Sequence, residues 1–220
     1  MITRSHSSWN RPRSGLWAMC ATCIALAGCT PQGDLGIGPE GFSDDFDRQD
    51  LGDAWNNTGA SYAIRDGKLR IKGARNKPLW LRRTLPRDVR IELDVRSDSP
   101  EGDIKLELFG DGVSKAEKVS YTASGYVVIF GGWNNSLNVL ARRNEHGEDR
   151  VVGAAYKVVQ GKTYPMKIER RGATIKVWVA ERELLSMTDP SPLEGLGQDH
   201  FGFNNWQSDL WFDNLRIHPL

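Results

Sequence analysis

The sequence predicts an all-β fold, a two-sheet antiparallel jelly-roll sandwich, and three observations carry that prediction. Apolar residues recur with a period of two, turn-forming pairs separate the alternating runs, and no stretch has the apolar spacing of a convincing amphipathic helix. In Val89-Arg90-Ile91-Glu92-Leu93-Asp94-Val95-Arg96, apolar and charged residues alternate strictly, which puts one face on a core and the other in water. Ile104, Leu106 and Leu108 repeat the pattern against Asp103, Lys105 and Glu107. Ile175, Val177 and Val179 repeat it against Thr174, Lys176 and Trp178. Asp66-Gly67 joins Tyr62-Ala63-Ile64 to Leu69-Arg70-Ile71 as a tight hairpin, because Asp-Gly accepts the positive φ that such turns need. Gly110-Asp111-Gly112, Glu145-His146-Gly147 and Arg171-Gly172 read as further turns, and roughly a dozen closely spaced strands suit a sandwich. Residues 114–118 and 181–185 are each compatible with a short helical turn.

At 220 residues, with 29 Lys+Arg against 28 Asp+Glu, the chain suits one globular domain. A net charge of +1 leaves no basic footprint, so nucleic acid is not an expected partner. Eight tryptophans and the alternating apolar runs exclude a disordered protein, and the absence of several long apolar spans excludes a polytopic membrane protein.

Arg4, Arg11 and Arg13 precede an uncharged apolar run over residues 16–27, the order of a secretory signal. Leu26-Ala27-Gly28-Cys29 closes that run and resembles the lipobox of bacterial lipoproteins. The resemblance implies cleavage before Cys29, lipidation of Cys29, and a membrane anchor made of acyl chains. Removing residues 1–28 takes three arginines and no acid, leaving a domain of net charge −2 that anionic lipid would not attract. Thr30 after the cysteine implies, by the same resemblance, an outer-membrane lipoprotein facing periplasm or surface. Cys20 and Cys23 leave with the signal, so the mature domain is expected to hold no disulfide and to stand on its core. Residues 29–41, rich in Gly and Pro, read as the lipidated cysteine and a flexible tether, with the sandwich over residues 42–220.

The opening Phe42-Ser43-Asp44-Asp45-Phe46-Asp47, then Trp55, the Asp66-Gly67 hairpin and the closing Trp211-Phe212-Asp213-Asn214-Leu215-Arg216-Ile217 are similar to concanavalin A-like lectin/glucanase domains. Within them the chain resembles bacterial domains related to the 3-keto-disaccharide hydrolase family. That fold hosts lectins, binding modules, glycosidases and structural domains, so activity has to be argued from a site.

Glu92-Leu93-Asp94 imitates half of a retaining glycosidase motif, but Arg96 and Ser97 stand where the second glutamate is needed. Gly131-Gly132-Trp133-Asn134-Asn135 and Gly202-Phe203-Asn204-Asn205-Trp206 place a tryptophan and two asparagines in mirrored order about seventy residues apart. An indole covers the apolar face of a pyranose while an amide donates and accepts at adjacent hydroxyls, so Trp133, Asn134, Asn135, Asn205 and Trp206 are the candidate glycan-binding residues on a concave sheet. Arg143 and His146 join them from a loop that also carries Glu145, Glu148 and Asp149. No catalytic residue, cofactor or metal is assigned. His146, His200 and His218 show no ligand spacing, and neither a Gly-x-Ser-x-Gly nor a phosphate-cradling loop is present. Asp44, Asp45, Asp47 and Asp213 could share a calcium ion only if the terminal strands converge.

Three readings remain open. A glycan binder is expected to show an open groove of aromatics and amides. A hydrolase needs a carboxylate or histidine such as Glu145 or His146 beside the tryptophans, and a scaffold would bury the tryptophans in its core.

Overall fold

The computed structural model describes Met1, residues 35–118 and residues 121–220. Residues 2–28 of the signal segment and Cys29 lie outside the described residues. Among those described, no helix is long and apolar enough to cross a membrane.

The strands are β1 Leu35–Gly36, β2 Phe42–Asp44, β3 Trp55–Asn57, β4 Ala63–Arg65, β5 Lys68–Lys72, β6 Leu79–Leu81, β7 Arg83–Thr84, β8 Val89–Ser97, β9 Ile104–Gly110, β10 Tyr126–Gly131, β11 Leu137–Arg142, β12 Val151–Val152, β13 Thr163–Arg171, β14 Thr174–Val179, β15 Arg182–Thr188, β16 His200–Asn204 and β17 Asp209–Pro219. Two antiparallel sheets form a jelly-roll sandwich. One runs β12-β11-β10-β9-β16-β6-β3; the other runs β15-β14-β13-β8-β17-β5-β4, with β2 added along β17.

The period of two becomes geometry directly. On β8, Val89, Ile91, Leu93 and Val95 enter the core while the charged residues between them stay partly exposed. Ile104, Leu106 and Leu108 of β9 face Phe130, Val128 and Tyr126 of β10 across the ladder, all buried in the same core. Stacked aromatics cross the middle: Phe203 lies 5.2 Å from Trp55 and 4.5 Å from Phe212. The Asp66-Gly67 turn closes β4 onto β5, with positive φ at both residues.

Three local expectations need correction. Residues 30–41 read as a tether, yet β1 pairs in parallel with β7, Ile37 is buried, and its N–H reaches Thr84 O at 3.0 Å. Residues 181–185 form no helical turn, because β15 begins at Arg182 and pairs with β14. Residues 114–118 form none either; that segment is held across the sheet by Trp80 Nε1 donating to Ser114 O and Asn56 Nδ2 donating to Gly112 O.

The outer face of the seven-stranded sheet positions the site. Register places Ala141, Val127, Glu107, Gly202 and Trp80 in one row, and Val139, Ile129, Lys105 and Asn204 in the next. Lys105 and Glu107 were expected in water with the rest of that face, but both are fully buried. Loops from elsewhere in the chain fold over them, and Val127, Ile129, Val139 and Ala141 pack into a small apolar cluster beneath Tyr121 and Trp133. A Cβ at Gly202 would lie 2.8 Å from the Trp80 ring, so glycine is what lets that indole lie flat on the sheet.

Candidate functional site

A cleft of about 570 Å³ opens at one end of this outer face, within the range of small-ligand sites. Four loop segments build most of it, Asn76 and Ile129 complete it, and the tryptophans predicted to converge line it together.

The first segment is a left-handed turn over Gly132–Asn135 at the end of β10. Gly131 enters it at φ 76°, and Trp133, Asn134 and Asn135 follow at 49°, 58° and 59°. Left-handed backbone costs an L-residue about 1–2 kcal/mol, so the turn needs external support. Asn135 supplies it: its Nδ2 donates to Val158 O at 2.8 Å while its Oδ1 accepts Val158 N–H at 2.9 Å. Ser136 Oγ closes the turn on Trp133 O at 2.6 Å. The result is a half-buried Trp133 and an exposed Asn134 at the cleft.

The second segment, residues 205–208, follows β16 and presents Trp206, Gln207 and Ser208. Asn205 is its internal brace. Its Oδ1 accepts Ala74 N–H at 2.7 Å, its Nδ2 donates to Ser208 O, and no surface is left to a ligand. The third segment, after β11, bends over the sheet and brings Glu145 and His146 to the cleft. The fourth is Glu101 and Asp103 at the start of β9. Asp103 ties both tryptophan turns together: its N–H donates to Gly131 O at 2.9 Å, and its Oδ2 accepts Trp206 N–H at 3.0 Å.

The floor is ionic. Lys105, almost wholly buried, donates from Nζ to Asn76 Oδ1 at 2.7 Å and is paired with Glu145. Glu107 accepts Asn204 Nδ2 at 2.6 Å and the Tyr121 hydroxyl at 3.0 Å. Burial pushes its carboxyl up to about 7, against the opposing pull of Lys105 and these two donors. Burial also raises Asp103 above the ordinary carboxylate range, with Lys105 and the Trp206 N–H opposing and Glu145 adding to the rise. At the rim, Arg150 lies 4.8 Å over the Trp133 ring and Arg75 5.9 Å over Trp206. The imidazole of His146 meets Trp133 edge to face at 5.4 Å.

Of the seven residues proposed from sequence, Trp133, Asn134, His146 and Trp206 line the cleft. The other three do not. Asn205 is sealed inside; Asn135 spends its amide on Val158 and Pro100; Arg143 is exposed, away from the cleft lining, with its backbone tied to Gly125 and Ala123. Sequence reasoning missed Asn76, Glu101, Asp103, Ile129, Gln207 and Ser208 in the lining and Lys105 beneath it. One signal was available: a lone lysine between two acids on one face of a strand is a charge pattern that can be buried in pairs. Glu92 and Asp94 lie on the other sheet, where Asp94 accepts Asn214 Nδ2 at 2.9 Å. The terminal aspartates form no shared cage, since Arg48 and Trp55 take Asp44 while Lys68 takes Asp213. Among the described residues, no three His, Cys, Asp or Glu side chains gather closely enough to hold a metal ion.

No protein-family model matches the chain, and no curated protein matches it. Solved structures do resemble it. A Bacillus subtilis protein of unknown function with a galectin-like fold aligns with TM-score 0.60 at 13% identity, over 80% of this chain and 94% of that one. The carbohydrate-binding module CBM66 from Bacillus subtilis aligns with TM-score 0.53 at 18% identity, over 75% and 95%. The laminarinase from Rhodothermus marinus aligns with TM-score 0.53 at 13% identity, over 81% and 96%. At these identities the likeness concerns the fold, and the chain shares its sandwich architecture with galectin-like, carbohydrate-binding and glycoside-hydrolase structures.

Proposed function

We propose that this is a lipid-anchored cell-envelope protein whose cleft binds a glycan. The observation that carries the binding reading is the convergence of Trp133 and Trp206 on one cleft that also offers the side-chain amides of Asn134 and Gln207. Indole faces cover the C–H side of a pyranose and amides pair with its hydroxyls, which is the chemistry a sugar needs. Structures of the same fold that are named for carbohydrate binding support the reading. The anchor at Cys29 and the outer-membrane address rest on the sequence order of arginines, apolar run, Leu26-Ala27-Gly28-Cys29 and Thr30.

A second reading, glycoside cleavage of the 3-keto-disaccharide hydrolase type, is favoured by one observation: Glu101, Asp103 and Glu145 line the cleft beside the indoles. Burial raises the Asp103 carboxyl above the ordinary carboxylate range, which is the direction a general acid requires. The scaffold reading loses its support, because both indoles stand at the cleft and neither belongs to the main core.

A glycan array probed with the full chain and with the Trp133→Ala, Trp206→Ala double variant tests binding, and equal signals from both would remove the site. Sugar release from array hits, lost in Asp103→Asn, distinguishes hydrolase from binder. Incorporation of labelled palmitate, lost in Cys29→Ser, tests the anchor.

A further inference from the structure

We infer that the cleft recognises a sugar carrying an acetamido group, an N-acetylated hexosamine, and that this group seats among Asn76, Ser208 and Ile129. The inference rests on the glycan-binding reading and names the class of sugar. The three residues line the cleft although they are only 6%, 4% and 2% exposed. Buried polar side chains are normally paired, so an open one in a cleft wall points to a guest.

Asn76 has such an open end. Lys105, beneath the floor, can only donate, so the atom that receives it at 2.7 Å is the amide oxygen, and the amide nitrogen is turned the other way. That Nδ2 has no hydrogen-bond partner among the described residues, and neither does the hydroxyl of Ser208, whose backbone oxygen takes Asn205. Backbone bonds hold the two residues in place. Gly73 N–H reaches Ser208 O at 3.4 Å, Arg75 N–H reaches Trp206 O at 3.0 Å and Asn76 N–H reaches Asn205 O at 3.1 Å, so both residues flank Trp206 along two laced turns. Ile129 is the ladder partner of Lys105 on β10, which sets its side chain beside the lysine that holds Asn76.

Together these groups match one functional group. An amide nitrogen fixed in orientation asks for an acceptor, a serine hydroxyl accepts an N–H, and Ile129 takes an apolar methyl. An acetamido group carries a carbonyl oxygen, an N–H and a methyl. A plain hydroxyl engages the polar pair but leaves Ile129 uncovered, and a bare ammonium has no acceptor to offer Asn76. The pyranose that bears the acetamido group lies on the Trp206 indole, in the cleft that Trp133 also lines.

The test titrates the full chain with methyl glycosides of glucose, galactose and mannose, with their 2-acetamido counterparts, and with β-1,4-linked tetramers of glucose and N-acetylglucosamine, read by calorimetry and indole fluorescence. At least one acetamido sugar is expected to bind about tenfold more tightly than its parent, because a methyl enters an apolar spot and a buried donor gains its acceptor. Ser208→Ala keeps the backbone oxygen that Asn205 and Gly73 use, so it is expected to lower that ratio about threefold with an unchanged melting temperature. Asn76→Asp keeps an oxygen for Lys105 but sets a second acceptor against the acetyl carbonyl, so the ratio falls to about one while a parent hydroxyl, free to donate, still binds. Acetamido sugars that bind no more tightly than their parents, or a ratio unmoved in both variants, overturn the inference, while binding of the parents keeps the glycan-binding reading. No binding by any of these sugars also overturns the inference, and the glycan array then decides the broader reading by itself.

Discussion

The ammonium of Lys105 on β9 touches the carboxylate of Glu145, which belongs to the loop after β11, and the two side chains are 2% and 17% exposed. Since β10 lies between β9 and β11, this contact straps the loop across a neighbouring strand. Removing one partner of a buried pair leaves the other charge desolvated, at a cost of about 3–5 kcal/mol. Glu145→Ala is expected to lose about 3 kcal/mol in urea denaturation, and Lys105→Met, Glu145→Ala together less than that single change. A loss below about 1 kcal/mol for Glu145→Ala would show that the strap does not hold the loop.

Trp133 and Trp206 are half-buried at the cleft, whereas Trp80 is fully buried on the same face. Alanine at either cleft position is expected to lower glycan affinity about tenfold or more while the fold persists. Trp80→Ala is expected to lose about 3–5 kcal/mol of stability. Calorimetry and thermal melts on the three variants separate these roles; a Trp206→Ala variant with unchanged affinity would place the sugar elsewhere.

Asn205 is a brace. Without its amide, Ala74 N–H and Ser208 O lose their buried partners, so Asn205→Ala is expected to destabilise by about 1–3 kcal/mol. Because Trp206 follows it directly, binding should weaken as well, and partial rescue by Asn205→Asp, which keeps the acceptor for Ala74, would show that the brace acts through that bond. Hydrogen exchange at Ala74 reads it directly.

Glu107 titrates near pH 7 when folded and at its ordinary value of 4.5 when unfolded. Between these values the folded state binds more protons than the unfolded one, so stability falls as pH rises through the window and the loss is complete above about pH 7. Glu107→Gln keeps an acceptor for Asn204 and stays neutral. Its stability is expected to exceed that of the parent by about 2 kcal/mol at pH 8 relative to pH 5, read from denaturation midpoints across that range. Parallel pH profiles for both proteins would contradict the assignment.

The strands were legible because alternation is a local property. Val89, Ile91, Leu93 and Val95 mark their own face, and Asp66-Gly67 marks its own turn. The two tryptophans at one cleft were legible as chemistry, since indole and amide suit the same ligand. What covers a polar strand face is not local. Lys105 and Glu107 carry the alternation of a solvated strand, and the arrival of Glu145 from the loop after β11 and of Tyr121 from the loop after β9 buries them. Asn205 and Trp206 are adjacent and alike in their readiness to contact sugar, but a backbone partner at Ala74 turns one of them inward.

The left-handed turn that carries Trp133 sets a thermodynamic expectation for the cleft. Its three unfavourable backbone conformations are already fixed by Val158 and Ser136 before any guest arrives, so docking should proceed with little loss of chain freedom and a small entropic penalty. The same feature makes the seat hard to transplant: a hexapeptide spanning residues 131–136, cut from its clamp, would relax to ordinary right-handed or extended backbone and let the ring swing away.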